Sequence, residues 1–210
     1  RVDPALAVRA LCPDGTWVTP GTEVLDITGS LASILTAERT ALNFLQHMSG
    51  VATLTRAFVQ AVQPYPTRIA DTRKTRPGFR ALDKYAVRTG GGVNHRTALD
   101  AGILIKENHT LAAGGIAVAI ERARTVGSHL LKVEVEVETM ADLDAALEAG
   151  AEVVLLDNMD LDALRVAVAW MVFHWPPPIT LRLALDWMVF PWPPPEYETG
   201  GVSHNQCRRQ

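Results

Sequence analysis

The apolar positions change period along the chain, and each change marks an element. Between residues 12 and 29, Asp14-Gly15, Pro20-Gly21 and Gly29 separate two short β-prone runs, Thr16-Trp17-Val18 and Val24-Leu25-Asp26-Ile27. Turn signals so closely spaced predict a small antiparallel β unit. From Ser30 the period becomes helical: Ile34, Leu35, Leu42 and Leu45 make one stripe, and Gly50 reads as a C′ stop. A second helix is predicted from Val51 to Gln63, ended by Pro64 and Pro66.

Beyond residue 67 strands and helices alternate. A strand leads into Ile69-Ala70, and a helix is predicted around Phe79, Leu82, Tyr85 and Ala86. Ile103-Leu104-Ile105 reads as a buried strand, Ile116 to Val126 as a helix, and Met140 to Glu148 as another helix stopped at Gly150. Val153 to Leu156 is the next strand. Such βα alternation predicts an α/β fold with a parallel sheet or barrel. The run Leu131 to Val137 narrows the choice. Val133, Val135 and Val137 share one face, while Lys132, Glu134 and Glu136 share the other. A strand covered on both faces of an open sheet is apolar throughout, so the charged phase favours a barrel with a polar interior. The polar residues Arg73, Lys106, Glu136 and Asp157 fall at strand C-terminal ends, where α/β barrels place their chemistry.

The last forty residues break this rhythm. Trp170-Met171-Val172-Phe173-His174-Trp175-Pro176-Pro177-Pro178 recurs as Trp187-Met188-Val189-Phe190-Pro191-Trp192-Pro193-Pro194-Pro195. Triple prolines fit neither helices nor central strands, so 170–210 reads as a divergent, duplicated or out-of-frame tail. A PxxP-type recognition element is a more distant reading.

Composition adds limits. The chain has 210 residues, 48% hydrophobic and 20% charged, with a net charge of −3, which is ordinary for a globular protein. No global charge attracts nucleic acid or anionic membranes. No apolar run approaches the roughly 18 residues of a membrane span. Cys12 and Cys207 sit near opposite ends and make no disulfide or metal framework, so a cytoplasmic location is expected. The first residue is Arg1 rather than Met, as in a fragment.

Against this acidic background the cations cluster locally. Asp71-Thr72-Arg73-Lys74-Thr75-Arg76-Pro77-Gly78-Phe79-Arg80 ends a strand, Gly90-Gly91-Gly92-Val93-Asn94-His95-Arg96 follows, and Ile103-Leu104-Ile105-Lys106-Glu107-Asn108-His109 is the third knot. Together they predict a pocket for a small polyanion. Each residue also has a structural account. Arg39 fits a solvated helix face. Glu134, Glu136 and Glu138 fit the exposed side of an edge strand, and Asp157-Asn158 fits a helix cap. His47 and His129 read as structural or surface residues. Lys106 resists such an account, because lysines rarely end buried strands for packing.

The motifs Glu38-Arg39-Thr40-Ala41-Leu42-Asn43, Ser49 to Thr53, Thr72 to Gly78, Gly90 to Arg96, Ile105 to His109, Val133 to Glu138 and Leu155-Leu156-Asp157-Asn158 run in order over residues 12–165. They resemble the quinolinate phosphoribosyltransferase family. The resemblance implies a split α/β N-terminal domain and an open α/β barrel, here 1–66 and 67–169, followed by the 170–210 tail. It implies transfer from phosphoribosyl pyrophosphate to quinolinate with decarboxylation, giving nicotinate mononucleotide. It implies that Thr72, Arg73, Lys74, His95, Arg96 and Lys106 line a dicarboxylate pocket, and that Arg39 acts across a homodimer. Lys106, Glu136 and Asp157 become the catalytic set, with Glu136 and Asp157 near the Mg²⁺ of the diphosphate and no organic cofactor.

The C-terminal region departs from the family pattern. Glu198 to Ser203 resembles the first phosphate-binding turn one residue short, leaving Gly200 and Gly201 as a phosphate-site remnant, and the last barrel strands are expected to be missing. Such a barrel would expose apolar faces and strand edges. A catalytically dead remnant, poorly folded alone, is therefore the alternative reading, with a nicotinate-type phosphoribosyltransferase as another.

Overall fold

The computed structural model describes residues 2–174 and the strand Thr180–Leu183. Contacts divide the chain into two units, 1–102 and 103–210.

The first unit begins with an antiparallel pair, β1 (Ala7–Ala10) and β2 (Leu25–Thr28), in the register Val8 to Ile27. The second strand matches the sequence reading, but its partner does not. Thr16-Trp17-Val18 stays outside the pair, and Trp17 lies under the Arg56 guanidinium at 5.5 Å. Ala7–Ala10 carries little β signal of its own. Its pairing is marked by the cross-strand bond from Arg9 Nη2 to Asp26 Oδ2 at 2.8 Å.

A single 31-residue helix, α1 (Leu31–Ala61), replaces the two predicted helices. The helix runs through Gly50. A glycine in a helix interior costs about 1 kcal/mol, less than starting a new helix would. The prolines that do end helices come only at Pro64 and Pro66. Of the predicted stripe, Leu35 and Leu45 remain exposed at 60% and 40%. Against α1 packs α2 (Arg80–Thr89). Their close approach needs Gly90, where an added Cβ would lie 2.4 Å from the Ala52 carbonyl oxygen and 2.8 Å from Thr55 Cβ. The predicted strand at Ile69-Ala70 is reduced to one parallel bridge, Ala70 to Val93.

The second unit is a four-stranded parallel sheet in the order β3 (Ile103–Ile105), β4 (Val133–Val137), β5 (Val153–Leu156), β6 (Thr180–Leu183). The strands form an open sheet among the described residues, with helices α3 (Glu107–Ala113), α4 (Ile116–Val126), α5 (Met140–Glu148) and α6 (Leu161–His174) between them. Helix α3 was not predicted, because Asn108-His109-Thr110 carries no apolar stripe. It starts where the Lys106 backbone N–H donates to His109 Nδ1 at 3.0 Å. The strand β6 falls inside the segment read from sequence as tail, between the two Trp/Pro copies, and pairs in parallel with β5.

The core lies between this sheet and its helices. Val133, Val135 and Val137 are at most 2% exposed and pack with Ile120 and Leu143. Ile116, Ala119, Ile120 and Ala123 supply the inner face of α4, spaced three and four apart. Thr139 caps α5, accepting from the Asp142 N–H at 3.1 Å. Among the described residues no helix is long and apolar enough to cross a membrane.

The continuity of α1 can be checked at Gly50, which is exposed and whose added Cβ would meet nothing within 4 Å. Gly50→Ala raises stability by about 0.5–1 kcal/mol, read as a higher midpoint in thermal denaturation. A left-handed C′ glycine would give a loss instead.

Candidate active site

The cationic segments of the first unit are organised around one carboxylate. Asp71 follows the Ala70–Val93 bridge, and its side chain is 8% exposed. Its Oδ1 accepts from Lys84 Nζ at 2.5 Å and from the His95 backbone N–H at 2.8 Å. Its Oδ2 accepts from Asn94 Nδ2 at 2.5 Å. Lys84 is itself 5% exposed and donates a second bond to the His95 carbonyl at 3.0 Å. Asn94 also donates to the Lys84 carbonyl at 2.8 Å. Buried charges survive when paired and hydrogen-bonded, and here both conditions hold. The result joins the 71–74 segment, helix α2 and the 94–96 segment.

Arg80 adds a second tie. Its Nε donates to Thr75 Oγ1, its Nη2 to the Arg73 carbonyl and its Nη1 to the Thr97 carbonyl, each at 3.2 Å. Arg96 Nη1 donates to the Gly102 carbonyl at 2.7 Å. Thr72 Oγ1 accepts from the Lys74 N–H at 3.0 Å. Within this frame Arg73 is half-buried, and its Nε is buried with no hydrogen-bond partner. Thr72 and Lys74 are exposed, while His95 and Arg96 are half-buried. The structure thus brings Thr72, Arg73, Lys74, His95 and Arg96 onto one scaffold. Arg39 is exposed on α1 with no described hydrogen bond.

The second unit gathers the other charges at the C-terminal ends of three adjacent strands. Lys106 follows β3, Glu136 lies in β4 and Asp157 follows β5. Lys106 Nζ meets Glu136 Oε2 at 2.8 Å, with the lysine side chain 41% exposed and the glutamate 5%. The hydrogen bond to Glu136 holds the Lys106 proton above the ordinary lysine range. Burial pushes the Glu136 carboxyl above the usual glutamate range, and the ion pair only partly offsets it. The nearby Asp157 charge pushes the same way.

Asp157 is buried, and its Oδ1 has no hydrogen-bond partner. Its position is set by the backbone bond from its N–H to the Val137 carbonyl at 3.0 Å. Asn158, at φ 52°, donates from Nδ2 to Glu138 Oε1 at 2.9 Å and fastens the ends of β5 and β4. The capping role considered for Asp157-Asn158 belongs to Asp160, whose Oδ1 accepts from the Asp162 and Ala163 N–H groups. Glu134 and Glu136 are 7% and 8% exposed in a strand flanked on both sides, so the edge-strand account fails. Gly200 and Gly201 lie outside the described residues.

Comparison with known proteins gives the family. The family model for the quinolinate phosphoribosyl transferase C-terminal domain matches residues 51–181, and that for the N-terminal domain matches 2–49. The chain belongs to the quinolinate phosphoribosyl transferase family. Among its relatives, the probable nicotinate-nucleotide pyrophosphorylase [carboxylating] of Synechocystis sp. is 44% identical over 80% of this chain and 57% of that protein. The nicotinate-nucleotide pyrophosphorylase [carboxylating] of Mycobacterium leprae is 47% identical over 74% of this chain and 54% of its own length. The chain spans about half the length of these curated relatives. The solved nicotinate-nucleotide pyrophosphorylase of Francisella tularensis matches with a TM-score of 0.81 at 41% identity, covering 87% of this chain and 64% of that one. NadC from Streptococcus pyogenes gives 0.80 at 39% identity, covering 89% and 65%.

Sequence reasoning passed over Lys84, and counted Arg80 within the cationic segment without giving it a role. The signal was Asp71, a lone acid heading a run of cations, which called for a buried partner. Lys84→Met removes that partner and leaves the Asp71 carboxylate buried and unpaired. A loss of about 3–5 kcal/mol follows in urea unfolding. A loss below about 1 kcal/mol would show that the pair does not hold the segments.

Proposed function

We propose that this chain transfers the phosphoribosyl group of phosphoribosyl pyrophosphate to quinolinate and decarboxylates the product, yielding nicotinate mononucleotide, pyrophosphate and carbon dioxide for NAD synthesis. Arg73 carries the reading. A buried guanidinium Nε without an acceptor is costly unless a ligand completes it, and a carboxylate does so in matching planar geometry. Quinolinate brings two adjacent carboxylates. Lys74, His95 and Arg96 stand on the same Asp71–Lys84 scaffold and complete the set for the pair.

The acidic residues serve the other substrate. As the pyridine nitrogen attacks the ribose carbon and the bond to pyrophosphate breaks, that carbon becomes oxocarbenium-like. Buried carboxylates at Glu136 and Asp157 stabilise the developing positive charge. Lys106 keeps Glu136 oriented through their 2.8 Å contact. The ring nitrogen, now cationic, stabilises the carbanion left on the adjacent carbon as carbon dioxide departs, and a proton from solvent completes the C–H bond there, so the step needs no organic cofactor.

The donor set also fits Mg²⁺. Asp157 Oδ1 is a buried hard-oxygen donor with no hydrogen-bond partner among the described residues. That suits an ion bound by one or two carboxylates and the substrate's own diphosphate. Glu136 and Asp157 would hold it, and it would supply charge neutralisation on the diphosphate. Arg39, exposed on α1, is proposed to reach the site of a second copy, making the working form a homodimer in the cytoplasm.

The test is conversion of quinolinate by the purified chain with phosphoribosyl pyrophosphate, followed by nucleotide formation and carbon dioxide release. Arg73→Lys raises KM for quinolinate about tenfold or more, since a point charge replaces the fork. Glu136→Gln lowers kcat roughly 10²-fold or more with smaller change in KM. Because Glu136 acts as carboxylate and burial raises its carboxyl above the usual glutamate range, kcat falls on the acid side as that carboxyl takes up a proton. Absence of conversion by the unmodified chain contradicts the proposal.

A further inference from the structure

The residue that follows Asp157 carries a backbone conformation that packing does not require. Asn158 sits at φ 52°, the one non-glycine at positive φ among the described residues. Its side chain is exposed, so no core contact forces it there. In the left-handed region a side chain crowds its own backbone, and asparagine is among the few types that tolerate it. Non-glycine residues held in that region cluster at functional sites. The side chain shows what the conformation achieves here. Nδ2 donates to Glu138 Oε1 at 2.9 Å and makes a longer contact of 3.4 Å to Asp157 Oδ2. One amide thus faces two carboxylates, one just past β4 and one just past β5.

We propose that Asn158 is the positioning residue of Asp157: it engages Oδ2 and so makes Oδ1 the oxygen left for Mg²⁺ or for the developing positive charge. The inference rests on the reading of Asp157 as a carboxylate of the reaction site. Asp157 is 8% exposed, and its Oδ1 has no hydrogen-bond partner among the described residues. The two oxygens of an aspartate exchange by rotation about its broad terminal torsion. A donor on one of them removes that equivalence. The Asp157 main chain is already fixed by its N–H bond to the Val137 carbonyl at 3.0 Å, so Asn158 supplies the remaining constraint, on the head group.

The choice of an amide has a physical reason. Its two N–H hydrogens can serve two acceptors at once, which eases the repulsion between Glu138 and Asp157. It does so without a charge of its own. A lysine or arginine there would neutralise the carboxylate that has to meet a cation. The charged partner of this strand-end cluster is Lys106, and it is committed to Glu136 at 2.8 Å. Burial first, and the Asp157 charge after it, raise the Glu136 carboxyl, so the acids at these strand ends act on one another. Asn158 adds order among them and leaves their total charge unchanged.

Glycine is the informative substitution, because it keeps the left-handed backbone free of strain and removes only the amide. Asn158→Gly keeps a thermal midpoint close to that of the unmodified chain. Binding of Mn²⁺ in the presence of inorganic pyrophosphate, followed by electron paramagnetic resonance on the full chain, weakens about tenfold. With quinolinate and phosphoribosyl pyrophosphate, kcat falls by a similar factor while KM for quinolinate stays. Asp157→Asn also weakens Mn²⁺ binding, and Asn158→Gly added to it weakens binding no further, since the two residues act through one carboxylate. Mn²⁺ bound as tightly by Asn158→Gly as by the unmodified chain would mean that only the backbone matters at this position. That result, or an additional loss in the double variant, overturns the inference and leaves Asp157 in the site. If Asp157→Asn itself leaves Mn²⁺ binding unchanged, or the unmodified chain binds none, the reading of Asp157 falls and the inference falls with it.

Discussion

A lysine ammonium and an aspartate carboxylate, each under a tenth exposed and 2.5 Å apart, hold together the part of this chain that would meet a dicarboxylate. Neither Lys84 nor Asp71 belongs to the residues that would touch quinolinate. Both are out of water, and a buried pair rarely adds net stability over apolar packing. What it adds here is position. Asp71 accepts from Lys84, Asn94 and the His95 backbone at once, so two cationic segments separated in sequence share one anchor. Arg80 ties the same segments from the other side through the Arg73 and Thr97 carbonyls. The cations of the pocket repel one another, and a scaffold with its own satisfied charge can hold them without adding to that repulsion.

The second unit solves the opposite problem with the same means. Carboxylates gathered at Glu136 and Asp157 also repel, and burial raises the cost of charging Glu136. Lys106 offsets part of that cost from a half-exposed position, 2.8 Å away. The valine phase of β4 belongs to the core, while its glutamate phase is buried too. One strand therefore serves both packing and chemistry through the period-two alternation of its side chains.

Much of this was legible in the sequence, for identifiable reasons. The elements Ile116–Val126, Met140–Glu148 and Val153–Leu156 could be read to the residue, because apolar period and stop signals agree there. The family was legible because its motifs pair unusual residue types, such as Lys106 at the end of a buried strand. Other features depend on tertiary context. A glycine at position 50 looks like a helix end until the low cost of carrying it inside a helix is weighed against a second nucleation. The strand Ala7–Ala10 has no pattern to reveal it. The segment Thr180–Leu183 was hidden by the prolines on either side, yet it completes a row of parallel pairing. Lys84 escaped notice because a lysine on an amphipathic helix usually faces water, and only the unmatched Asp71 argues otherwise.

Asp71 and Lys84 fix the segment carrying His95 and Arg96, and the His95 backbone amide reports on this directly. Its N–H donates to the buried Asp71 Oδ1 at 2.8 Å and should be shielded from water in the native protein. Amide hydrogen exchange followed residue by residue should show His95 protected far beyond Thr97, which lies in an exposed turn of the same segment. Exchange of His95 as fast as that of Thr97 would show that Asp71 and Lys84 do not anchor this segment.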